Sequence, residues 1–515
     1  MTSTADPRPE APPEIDGTPW GLKLSHRYAS ELVGLHAPWP PSTAPSPRWL
    51  AVNRPLAEAL GLSPDALEGP EGLAIFSGNA KPSGAVPIAQ AYAGHQFGQF
   101  NPQLGDGRAV LLGELTDRAG RLRDIAFKGS GRTPFSRGGD GKAAIGPVLR
   151  EYVMGEAMHA LGIPTTRALG AVATGEQIYR DRPLPGALLV RVAASHVRVG
   201  TFQFYAARND IDKLRRLADH AIARHDPGLA QRDDRYLALL QSVAQRQAAL
   251  IAQWMGAGFI HGVMNTDNMT VSGETIDYGP CAFMDRHAPD TVYSSIDRQG
   301  RYAYANQPGI ARWNLARLAE ALLPLVDEDA DRAVAQVTEI INAFPDLYEA
   351  QWLCVMRAKL GLQAPFKQDY AADSALAKDL LAHFTAHAVD HTQGFRALAD
   401  AAAPTAEGDT AWLRLWAPQA RADAMAWLHR WRGRVAGQAA APLAVALNAA
   451  NPLYIPRNHL VEEALDAATE QGDLGPWQRL LDVVKHPFVA QPDAERYALP
   501  GSAAQQDGHR TFCGT

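Results

Sequence analysis

The side chains with the clearest chemical potential lie between residues 261 and 279. Asn268 and Asp277 carry oxygen atoms on two neighbouring loop segments that follow His261. Mg²⁺ and Mn²⁺ prefer oxygen ligands, and in phosphate sites they keep water and phosphate oxygens in their remaining positions. The pair therefore predicts a divalent metal site that a phosphorylated ligand completes. The alternative is that both residues only stabilise their loops.

The order of this stretch matches the second half of a protein-kinase site. A helix leads to His261, then to Asn268, then to a hairpin predicted over 269–278 and an Asp-Tyr-Gly sequence. A kinase would carry its catalytic base two residues after the His, where this chain has Val263. The kinase base is therefore missing, and Asp267 stands directly before the metal-type Asn instead. A loop-capping role is the alternative for this aspartate.

A glycine turn and a lysine lie upstream. Gly105 and Gly107 flank a turn that leads into an apolar strand, so backbone N–H groups there can approach a phosphate without hindrance from Cβ atoms. The alternation over 122–128 puts apolar side chains on one face and Lys128 on the other, on the side where the glycine turn would lie. A plain hairpin turn and a solvated lysine are the alternatives.

A helix predicted from Pro147 to Gly162 carries the third element of this group. Glu151 lies on its apolar stripe, where a carboxylate needs a cation, and Lys128 is the nearest upstream candidate. The alternative is that Glu151 pairs with Arg150 or with no cation. The glycine-rich, basic loop over 129–141 suits an anion, although a mobile surface loop would have the same composition.

These groups require an α+β fold to position them. Residues 20–90 are rich in proline and predict short helices and loops, and residues 91–200 alternate glycine-rich loops with short strands around one helix. Beyond residue 200 the pattern is helical almost to the end. The predicted helices are 212–224, 233–256, 313–325, 331–343, 347–360, 372–402, 411–434 and 457–470.

Composition excludes several classes of protein. The 515 residues include 49 Lys and Arg against 55 Asp and Glu, so the net charge of -6 gives no reason to expect a nucleic acid partner. No apolar run reaches the roughly 18 residues of a membrane span. Three cysteines cannot build a disulfide framework, and they lack metal-binding spacing. Together with the absence of an export signal, this predicts a cytoplasmic protein.

Four long segments, in this order, closely resemble the selenoprotein O (SelO/YdiU) family. The resemblance is strong over about residues 90–285, extends loosely to the C-terminus, and is highly specific because each segment is long and unusual. The segments are YAGHQFGQFNPQLGDGR (92–108), KGSGRTPFSR (128–137), LGIPTTRAL (161–169) and HGVMNTDN (261–268).

The resemblance implies a two-lobed protein-kinase-like fold and a reaction in which AMP, rather than phosphate, passes from ATP to Ser, Thr or Tyr hydroxyls of proteins. ATP would bind in a flipped orientation, which explains the missing kinase base. The implied division of the chain is a disordered lead (1–19), an N-terminal extension (20–90), a sheet lobe (91–200), a helical lobe (201–345) and a helical C-terminal extension (346–515).

The resemblance also implies a role for each matching residue. Asp267 would accept the proton, and Asn268 and Asp277 would hold Mg²⁺ or Mn²⁺. Lys128 would bind phosphate and pair with Glu151. The nucleotide would contact Gly105, Gly107, Arg108, Lys128, Asp140, Gly141, Arg191, Arg198 and Asp277.

The cysteines receive separate predictions. Cys354 lies in an apolar helix and is predicted to belong to the core. Family members carry a cysteine or selenocysteine at the extreme C-terminus and can bridge it to the segment that follows the metal loop. The resemblance therefore implies a redox pair of Cys281 and Cys513 that gates the site, and two free thiols are the alternative.

Three other functions stay open at this point. Some relatives use UTP, so a uridylyltransferase would use the same pocket. An ordinary phosphotransferase and an inactive nucleotide-binding scaffold are the further candidates. In each case a nucleotide is bound, and neither a nucleic acid nor a membrane is the expected partner.

Overall fold

A computed structural model describes residues 12–362 and 369–512. The strands are β1 (Glu14–Ile15), β2 (Leu24–Ser25), β3 (His36–Pro38), β4 (Arg48–Val52), β5 (Lys81–Pro82), β6 (Ile88–Gln90), β7 (Gly94–Gln96), β8 (Gln99–Asn101), β9 (Ala109–Thr116), β10 (Leu122–Lys128), β11 (Ala143–Ala144), β12 (Arg167–Tyr179), β13 (Pro183–Ala193), β14 (Phe259–Ile260) and β15 (Ala282–Phe283). The α-helices are α1 (Arg27–Glu31), α2 (Arg54–Leu60), α3 (Pro64–Glu68), α4 (Pro70–Phe76), α5 (Ile145–Ala160), α6 (Val199–Ala206), α7 (Ile211–His225), α8 (Arg235–Ala257), α9 (Gln307–Val326), α10 (Ala330–Lys359), α11 (Tyr370–Ala386), α12 (His391–Arg396), α13 (Ala406–Leu413), α14 (Arg421–Arg434), α15 (Ala440–Ala450), α16 (Asn458–Asp466), α17 (Gly475–Val484), α18 (Glu495–Ala498) and α19 (Ala503–Asp507).

The expected α+β class is confirmed, and one antiparallel sheet organises the first part of the chain. Within the described residues this sheet has nine strands, with the main path β3-β6-β9-β10-β13-β12-β4 and with β2 beside β9 and β11 beside β13. The turn between β9 and β10 forms because Asp117 Oδ1 accepts hydrogen bonds from the backbone N–H groups of Ala119 and Arg121. This turn places β9 and β10 side by side.

The strand predicted over 122–128 is confirmed as β10. Ile125 and Phe127 point into a small core that also contains Leu56 and Phe76. Ala126 points to the other face and belongs to the main core, together with the apolar residues of α5. Because side chains alternate along a strand, the polar residues at both ends of β10 lie on the same face as Ala126.

Helices form most of the second part of the chain. The predicted helices at 212–224, 233–256 and 313–325 are confirmed as α7, α8 and α9, although α9 begins six residues earlier, at Gln307. Trp477 of α17 donates its Nε1–H to Leu149 O of α5 at 3.1 Å, so the last helices support the helix that carries Glu151. Among the helices of the described chain, none combines the length and apolar character that a membrane crossing requires.

Helix α10 corrects two predictions. It runs from Ala330 to Lys359 as one helix, where two helices divided at Pro345 were expected. Pro345 has no N–H for Ile341 O, which sits one turn earlier, but Arg312 Nε–H donates to that oxygen at 3.0 Å. The helix therefore continues, and the expected boundary between residues 345 and 346 falls inside it. The boundary between residues 200 and 201 likewise falls inside α6.

The long helices predicted over 372–402 and 411–434 are each divided. Helix α11 ends before Ala388, which has a φ of 52°, a left-handed conformation that interrupts a helix. Helices α13 and α14 are separated by a short 3₁₀ turn at Pro418–Ala420. The last predicted helix, 457–470, becomes α16 and a π turn over Ala467–Gln471.

The hairpin predicted over 269–278 does not form as a pair of strands. Thr270 Oγ1 donates to Glu274 O at 2.7 Å and accepts from Glu274 N–H at 3.1 Å. This side chain replaces the cross-strand hydrogen bonds, as Thr side chains often do in turns. Thr270 instead forms an isolated bridge with Arg198.

The N-terminal segments are integrated into the fold rather than attached to it. Residues 1–11 of the expected disordered lead lie outside the described residues, but its last part is ordered, because β1 pairs with β5 and Glu14 Oε1 lies 2.7 Å from Lys81 Nζ. Trp20 is buried in the small core. The expected extension over 20–90 supplies β2, β3, β4 and β6 to the large sheet.

Candidate functional site

Lys128, at the end of β10, joins a strand, a helix and a loop. Its Nζ atom lies 2.5 Å from Glu151 Oε2 and 2.6 Å from Asp277 Oδ1. Glu151 comes from the buried face of α5. The structure therefore contains the ion pair expected from the apolar position of Glu151, and it adds Asp277 as a second partner of the same ammonium group.

Asp277 is surrounded by three cations. Besides Lys128, Arg191 Nη1 lies 2.7 Å from Asp277 Oδ1 and Arg198 Nη2 lies 3.4 Å from Oδ2. Burial alone would raise the pKa of Asp277, but the three cations hold that pKa well below its usual range. Its φ of 61° is left-handed, which costs a non-glycine residue about 1–3 kcal/mol. The ion pairs therefore hold a strained backbone in place.

Two of these cations lie deep in the molecule. Arg191 and Arg198 are only 1% and 2% exposed. Arg198 also stacks on the ring of Tyr92, with its guanidinium carbon 4.6 Å from the ring centroid. A guanidinium keeps its charge even when buried, so Arg191 and Arg198 are permanent cations here. They face Asp277, and Arg198 Nη1 also lies 3.6 Å from Asp106 Oδ1. Over the whole cavity that they line, seven Lys and Arg side chains outnumber four Asp side chains, and this surplus of positive charge favours a polyanionic ligand.

Asp267 lies beside this cluster, in a 3₁₀ turn over Thr266–Asn268. Its Oδ2 accepts a hydrogen bond from Gln96 Nε2 at 3.2 Å, whereas the buried Oδ1 has no hydrogen-bond partner within the described residues. A Cβ atom on Gly94 would lie 3.0 Å from Oδ1, so glycine leaves the room beside it. Burial raises the pKa of Asp267 to about 6. A carboxylate with a free oxygen and a raised pKa is suited to accept a proton.

Asn268 and Asp277 present oxygen atoms to the same space. Asn268 Nδ2–H donates to Val263 O at 2.9 Å, which leaves its amide oxygen available for a ligand. One carboxylate and one amide oxygen fit Mg²⁺ or Mn²⁺, which bind through few protein oxygens and take the rest from phosphate and water. In the part of the chain that the structure describes, no three His, Cys, Asp or Glu side chains form a metal cluster.

The two glycine-rich segments pack against each other at the mouth of this space. Thr133 Oγ1–H donates to Asp106 O at 2.6 Å, and Ser136 Oγ–H donates to Gly107 O. Gly105 has a φ of 87°, and a Cβ atom there would lie 2.4 Å from the ring of Phe135. Only glycine fits this turn, so its backbone stays accessible to a ligand.

One cavity of about 450 Å³ connects these features. It brings together all the residues predicted to contact the nucleotide, hold the metal or accept the proton, while Glu151 stays behind Lys128. Those that line it are Gly105, Gly107, Arg108, Lys128, Asp140, Gly141, Arg191, Arg198, Asp267, Asn268 and Asp277.

Several cavity residues were missed by the sequence analysis. Gln96 belongs to the segment 92–108, whose first half suggested no chemical role. Arg180 also lines the cavity and holds Asp140 through two hydrogen bonds of 2.8 and 3.0 Å. Arg180 follows the end of β12, far from Asp140 in sequence, so no local pattern could have indicated this contact.

A larger cavity of about 840 Å³ lies between residues 285–300 and 501–510 and contains none of the predicted site residues. The chain's last described residues form one of its walls. Thr511 Oγ1–H donates to Pro280 O at 2.7 Å, and Thr511 forms a bridge with Ser294. Of these two cavities of the described chain, the smaller one is the better candidate for the chemistry, because cations, metal-type oxygens and a free carboxylate oxygen meet there.

The cysteine predictions have different outcomes. Cys281 is buried, and burial raises the pKa of its thiol to about 11. Cys513 lies outside the described residues, so the predicted pair stays a prediction. The core position predicted for Cys354 is wrong, because this side chain is exposed. It follows the buried Trp352 by two helical residues, a step of about 200° that puts it on the opposite face of α10.

The comparisons with known proteins all match the same family. The family model described as protein adenylyltransferase SelO matches residues 22–485. The chain is 58% identical over 495 residues to a protein nucleotidyltransferase YdiU of Cereibacter sphaeroides, covering 96% of this chain and 100% of that protein. It is 59% identical over 483 residues to a protein of the same name from Chromobacterium violaceum, covering 93% and 99%. A third, from Mycolicibacterium paratuberculosis, is 56% identical over 501 residues, covering 96% and 98%.

Proposed function

The chain belongs to the SelO family of protein adenylyltransferases and is a nucleotidyltransferase, and we propose that it transfers AMP from ATP to Ser, Thr or Tyr hydroxyls of other proteins. The placement of Asp267 carries this proposal. Its carboxylate has a free oxygen and a pKa of about 6, and it stands beside the metal-type oxygens, while the kinase base position holds the apolar Val263. A base in this place suits a hydroxyl that approaches a phosphate near the metal.

The proposed framework is a two-lobed, protein-kinase-like fold. The sheet lobe supplies Lys128, and the loops after α8 in the helical lobe supply Asp267, Asn268 and Asp277. The helices that follow α10 would form a helical extension that supports α5 through Trp477. The division explains why strand and loop residues converge on one cavity from different parts of the chain.

The proposed orientation of ATP places its polyphosphate inside and its base toward the mouth. The support is the distribution of charge: Arg191 and Arg198 are buried, and both contact Asp277. A triphosphate is attracted most strongly to the deepest cations because a low-dielectric interior strengthens charge interactions. The loops that carry Gly105, Arg108 and Gly141 would then contact the outer part of the nucleotide.

In the proposed reaction Asp267 accepts the proton of a substrate hydroxyl. The hydroxyl oxygen forms a bond to the α-phosphorus, and the bond from that phosphorus to the bridging oxygen of pyrophosphate breaks. Lys128, Arg191 and Arg198 stabilise the negative charge that develops on pyrophosphate. Mg²⁺ or Mn²⁺ held by Asn268 and Asp277 would neutralise phosphate charge and orient the α-phosphate.

The position of a radioactive label tests the proposal directly. The protein is incubated with Mn²⁺, a protein acceptor and either α-³²P-ATP or γ-³²P-ATP. We expect label on protein only from the α position, and we expect Asp277→Ala to abolish it. Label from the γ position alone would show a phosphotransferase, and absence of transfer in the wild-type protein would show a nucleotide-binding scaffold.

The same assay with α-³²P-UTP separates the two nucleotides. ATP is the proposed co-substrate because the matching family model is described as an adenylyltransferase. The names of the relatives specify only a nucleotidyltransferase. A higher kcat/KM for UTP than for ATP would assign uridylyl transfer to the same residues and would change only the base that the outer loops select.

We further propose that Cys281 and Cys513 form the redox pair that gates the site. The support is the binding of Thr511 to Pro280 O, next to Cys281 in the chain. Because burial raises the pKa of Cys281 to about 11, little of its thiol is ionised near neutral pH, and we expect the disulfide to form slowly. Free-thiol titration tests the pair: an oxidised sample should gain two thiols on reduction, and an unchanged count would exclude the disulfide.

A further inference from the structure

His196 lies between a carboxylate and one of the buried arginines of the cavity. Its Nδ1 atom is 2.9 Å from Asp124 Oδ2, and its Nε2 atom is 3.1 Å from Arg191 Nε. All three side chains are buried, with exposed fractions of 2% for Asp124, 3% for His196 and 1% for Arg191. His196 itself does not line the nucleotide cavity.

The proton positions in this chain of hydrogen bonds follow from Arg191. A guanidinium Nε always carries a hydrogen and can only donate. His196 Nε2 must therefore accept, so the ring proton resides on Nδ1 and is donated to Asp124. The ring is neutral in this arrangement. Burial and the neighbouring charge of Arg191 also lower the pKa of His196 from its usual value, which agrees with a neutral ring.

Asp124 is itself held in place. Arg224 Nη2 lies 2.6 Å from Asp124 Oδ1, and it also donates to Ala194 O at 2.6 Å. Burial would raise the pKa of Asp124, but Arg224 and His196 hold it below its usual range, so this carboxylate is ionised. A fixed anion thus orients the imidazole, and the imidazole orients Arg191.

The two buried arginines, Arg191 and Arg198, differ in the hydrogen bonding of their Nε atoms. Arg191 is held at Nε by His196 while its Nη1 points to Asp277. The Nε of Arg198 is buried and has no hydrogen-bond partner in the described part of the chain. Arg191 is therefore anchored at its Nε by the imidazole, whereas Arg198 is held through its Nη atoms and by stacking on Tyr92.

We propose that His196 is a positioning residue for the transfer reaction: as a neutral acceptor it aims Arg191 at the polyphosphate, and it does not touch the nucleotide itself. This inference rests on the proposed function, in which Arg191 stabilises the leaving pyrophosphate. A guanidinium that loses its Nε partner can rotate toward Glu151 Oε1, which already lies 3.3 Å from Nη1. A misplacement of about 1 Å in a group that contacts the reacting atoms can lower the rate by about 10²-fold.

A purely structural role is the competing explanation. The backbone N–H of His196 also donates to Asp124 Oδ2, at 2.9 Å, and this bond survives any substitution of the ring. Two variants separate the roles. In His196→Gln the side-chain oxygen reaches the Nε2 position and can still accept from Arg191. In His196→Asn the shorter amide can still donate to Asp124 but does not reach Arg191.

The test measures kcat and KM for ATP, urea unfolding, and binding of ATP and adenosine for both variants. We expect His196→Asn to lower kcat about 10- to 100-fold, and His196→Gln to restore it to within about threefold of the wild type. The midpoints of urea unfolding of His196→Asn and His196→Gln should equal each other. His196→Asn should weaken ATP binding and leave adenosine binding unchanged.

A double-mutant cycle completes the test. In an Arg191→Met background, His196→Asn should cause no further loss of kcat, because the group that it orients is gone. Equal activities of the Asn and Gln variants, an equal loss of ATP and adenosine binding, or an undiminished effect in the Arg191→Met background would each overturn the proposal. The label position in the wild-type protein reports separately on the proposed function, and the ATP and adenosine measurements remain valid if no transfer occurs.

Discussion

Two buried charge clusters in this molecule have opposite designs. Around Asp277, three cations lie beside an open cavity, and in the lining of that cavity seven Lys and Arg side chains outnumber four Asp side chains. Around Arg457, which is 0% exposed, one guanidinium meets two carboxylates, with Nη1 at 2.6 Å from Asp285 and 2.7 Å from Asp390. The Arg457 guanidinium also donates to Ala498 O at 2.9 Å, so it joins three separate segments.

The difference shows which buried charges indicate a ligand. Both clusters are buried and hydrogen-bonded, so burial and ion pairing alone do not identify a site. The cavity beside the Asp277 cluster has more cations than carboxylates, and an adjacent carboxylate oxygen has no partner in the described residues. In the Arg457 cluster two carboxylates outnumber one cation, although Asp285 also lines a cavity. The Arg457 cluster instead joins the segment after β15 to α12 and α16. The first is therefore suited to bind and react, and the second to hold the fold together.

The largest expected effect is on the reaction and comes from Asp267→Asn. If Asp267 is the proton acceptor as proposed, its loss should lower kcat about 10²- to 10⁴-fold. The unfolding free energy should stay equal or rise, because the variant removes a buried carboxylate whose Oδ1 has no partner in the described residues. Transfer assays and urea unfolding check both quantities. A large loss of stability with little loss of rate would show that Asp267 stabilises the fold, as Arg457 does, and does not act in the reaction.

Arg457→Met should give the reverse pattern. Removing the single cation leaves Asp285 and Asp390 buried together, and breaking a buried pair in this way costs about 3–5 kcal/mol of unfolding free energy. Arg496→Met is the matched control, since Arg496 pairs with Glu463 at 2.7 Å with side chains 55% and 50% exposed. The control should change stability by about 0–1 kcal/mol. Equal effects of the two variants in urea unfolding would contradict the comparison.

Lys359 is a buried basic residue that belongs to neither of these two clusters. It is 5% exposed, its Nζ lies 4.2 Å from the ring centroid of Phe395, and no carboxylate of the described residues pairs with it. Burial lowers the pKa of Lys359 to about 7. Because an unfolded lysine titrates near 10.4, the unfolded chain binds more protons between about pH 7 and 10, so this residue makes stability rise with pH across that range.

Lys359→Met should remove this slope and increase the unfolding free energy at pH 7 by about 0.5–2 kcal/mol. Urea unfolding at pH 7 and pH 9 for both proteins checks the prediction. The gain should be larger at pH 7, where the cost of the buried charge is greater. A destabilised variant, or a gain that grows with pH, would show that the ammonium has an unrecognised partner.

The smallest effect concerns the mouth of the cavity. Asp140 pairs with Arg180 at 2.8 Å, and the two side chains are 42% and 27% exposed. Such a pair contributes about 0–1 kcal/mol, so Asp140→Asn should raise the KM for ATP by at most about fivefold and leave kcat unchanged. Asp234→Asn, in the exposed pair with Arg232, should change neither constant. A loss of kcat in Asp140→Asn would place Asp140 closer to the reacting atoms than the rim.

Local patterns predicted the parts of the molecule that depend on neighbours in sequence. Two-residue alternation predicted β10, and the apolar stripe of α5 predicted that Glu151 needs a cation. The spacing of Asn268 and Asp277 predicted a pair of oxygen donors. Each of these rests on a period of a strand or helix, or on a short loop, and each can be read within about 20 residues.

Contacts between distant segments could not be predicted in this way. Helix α10 continues through Pro345 because Arg312, on α9, satisfies the freed carbonyl of Ile341. Gln96 reaches Asp267, and His196 links Asp124 to Arg191, only after the chain has folded. Side-chain partners of this kind are set by tertiary geometry, which no local period encodes.

Strand β10 contributes side chains to two cores, and this limits where the chain can gain or lose residues. Asp124 and Lys128 face one way, while Ile125 and Phe127 anchor the strand in the small core on the other side. A slip of one residue would exchange these two sets, at the cost of exposing Ile125 and Phe127 to polar surroundings. Two side chains that do not line the cavity therefore hold the register of the strand, and we expect an inserted or deleted residue to be tolerated better in the Asp117–Gly120 turn than within β10.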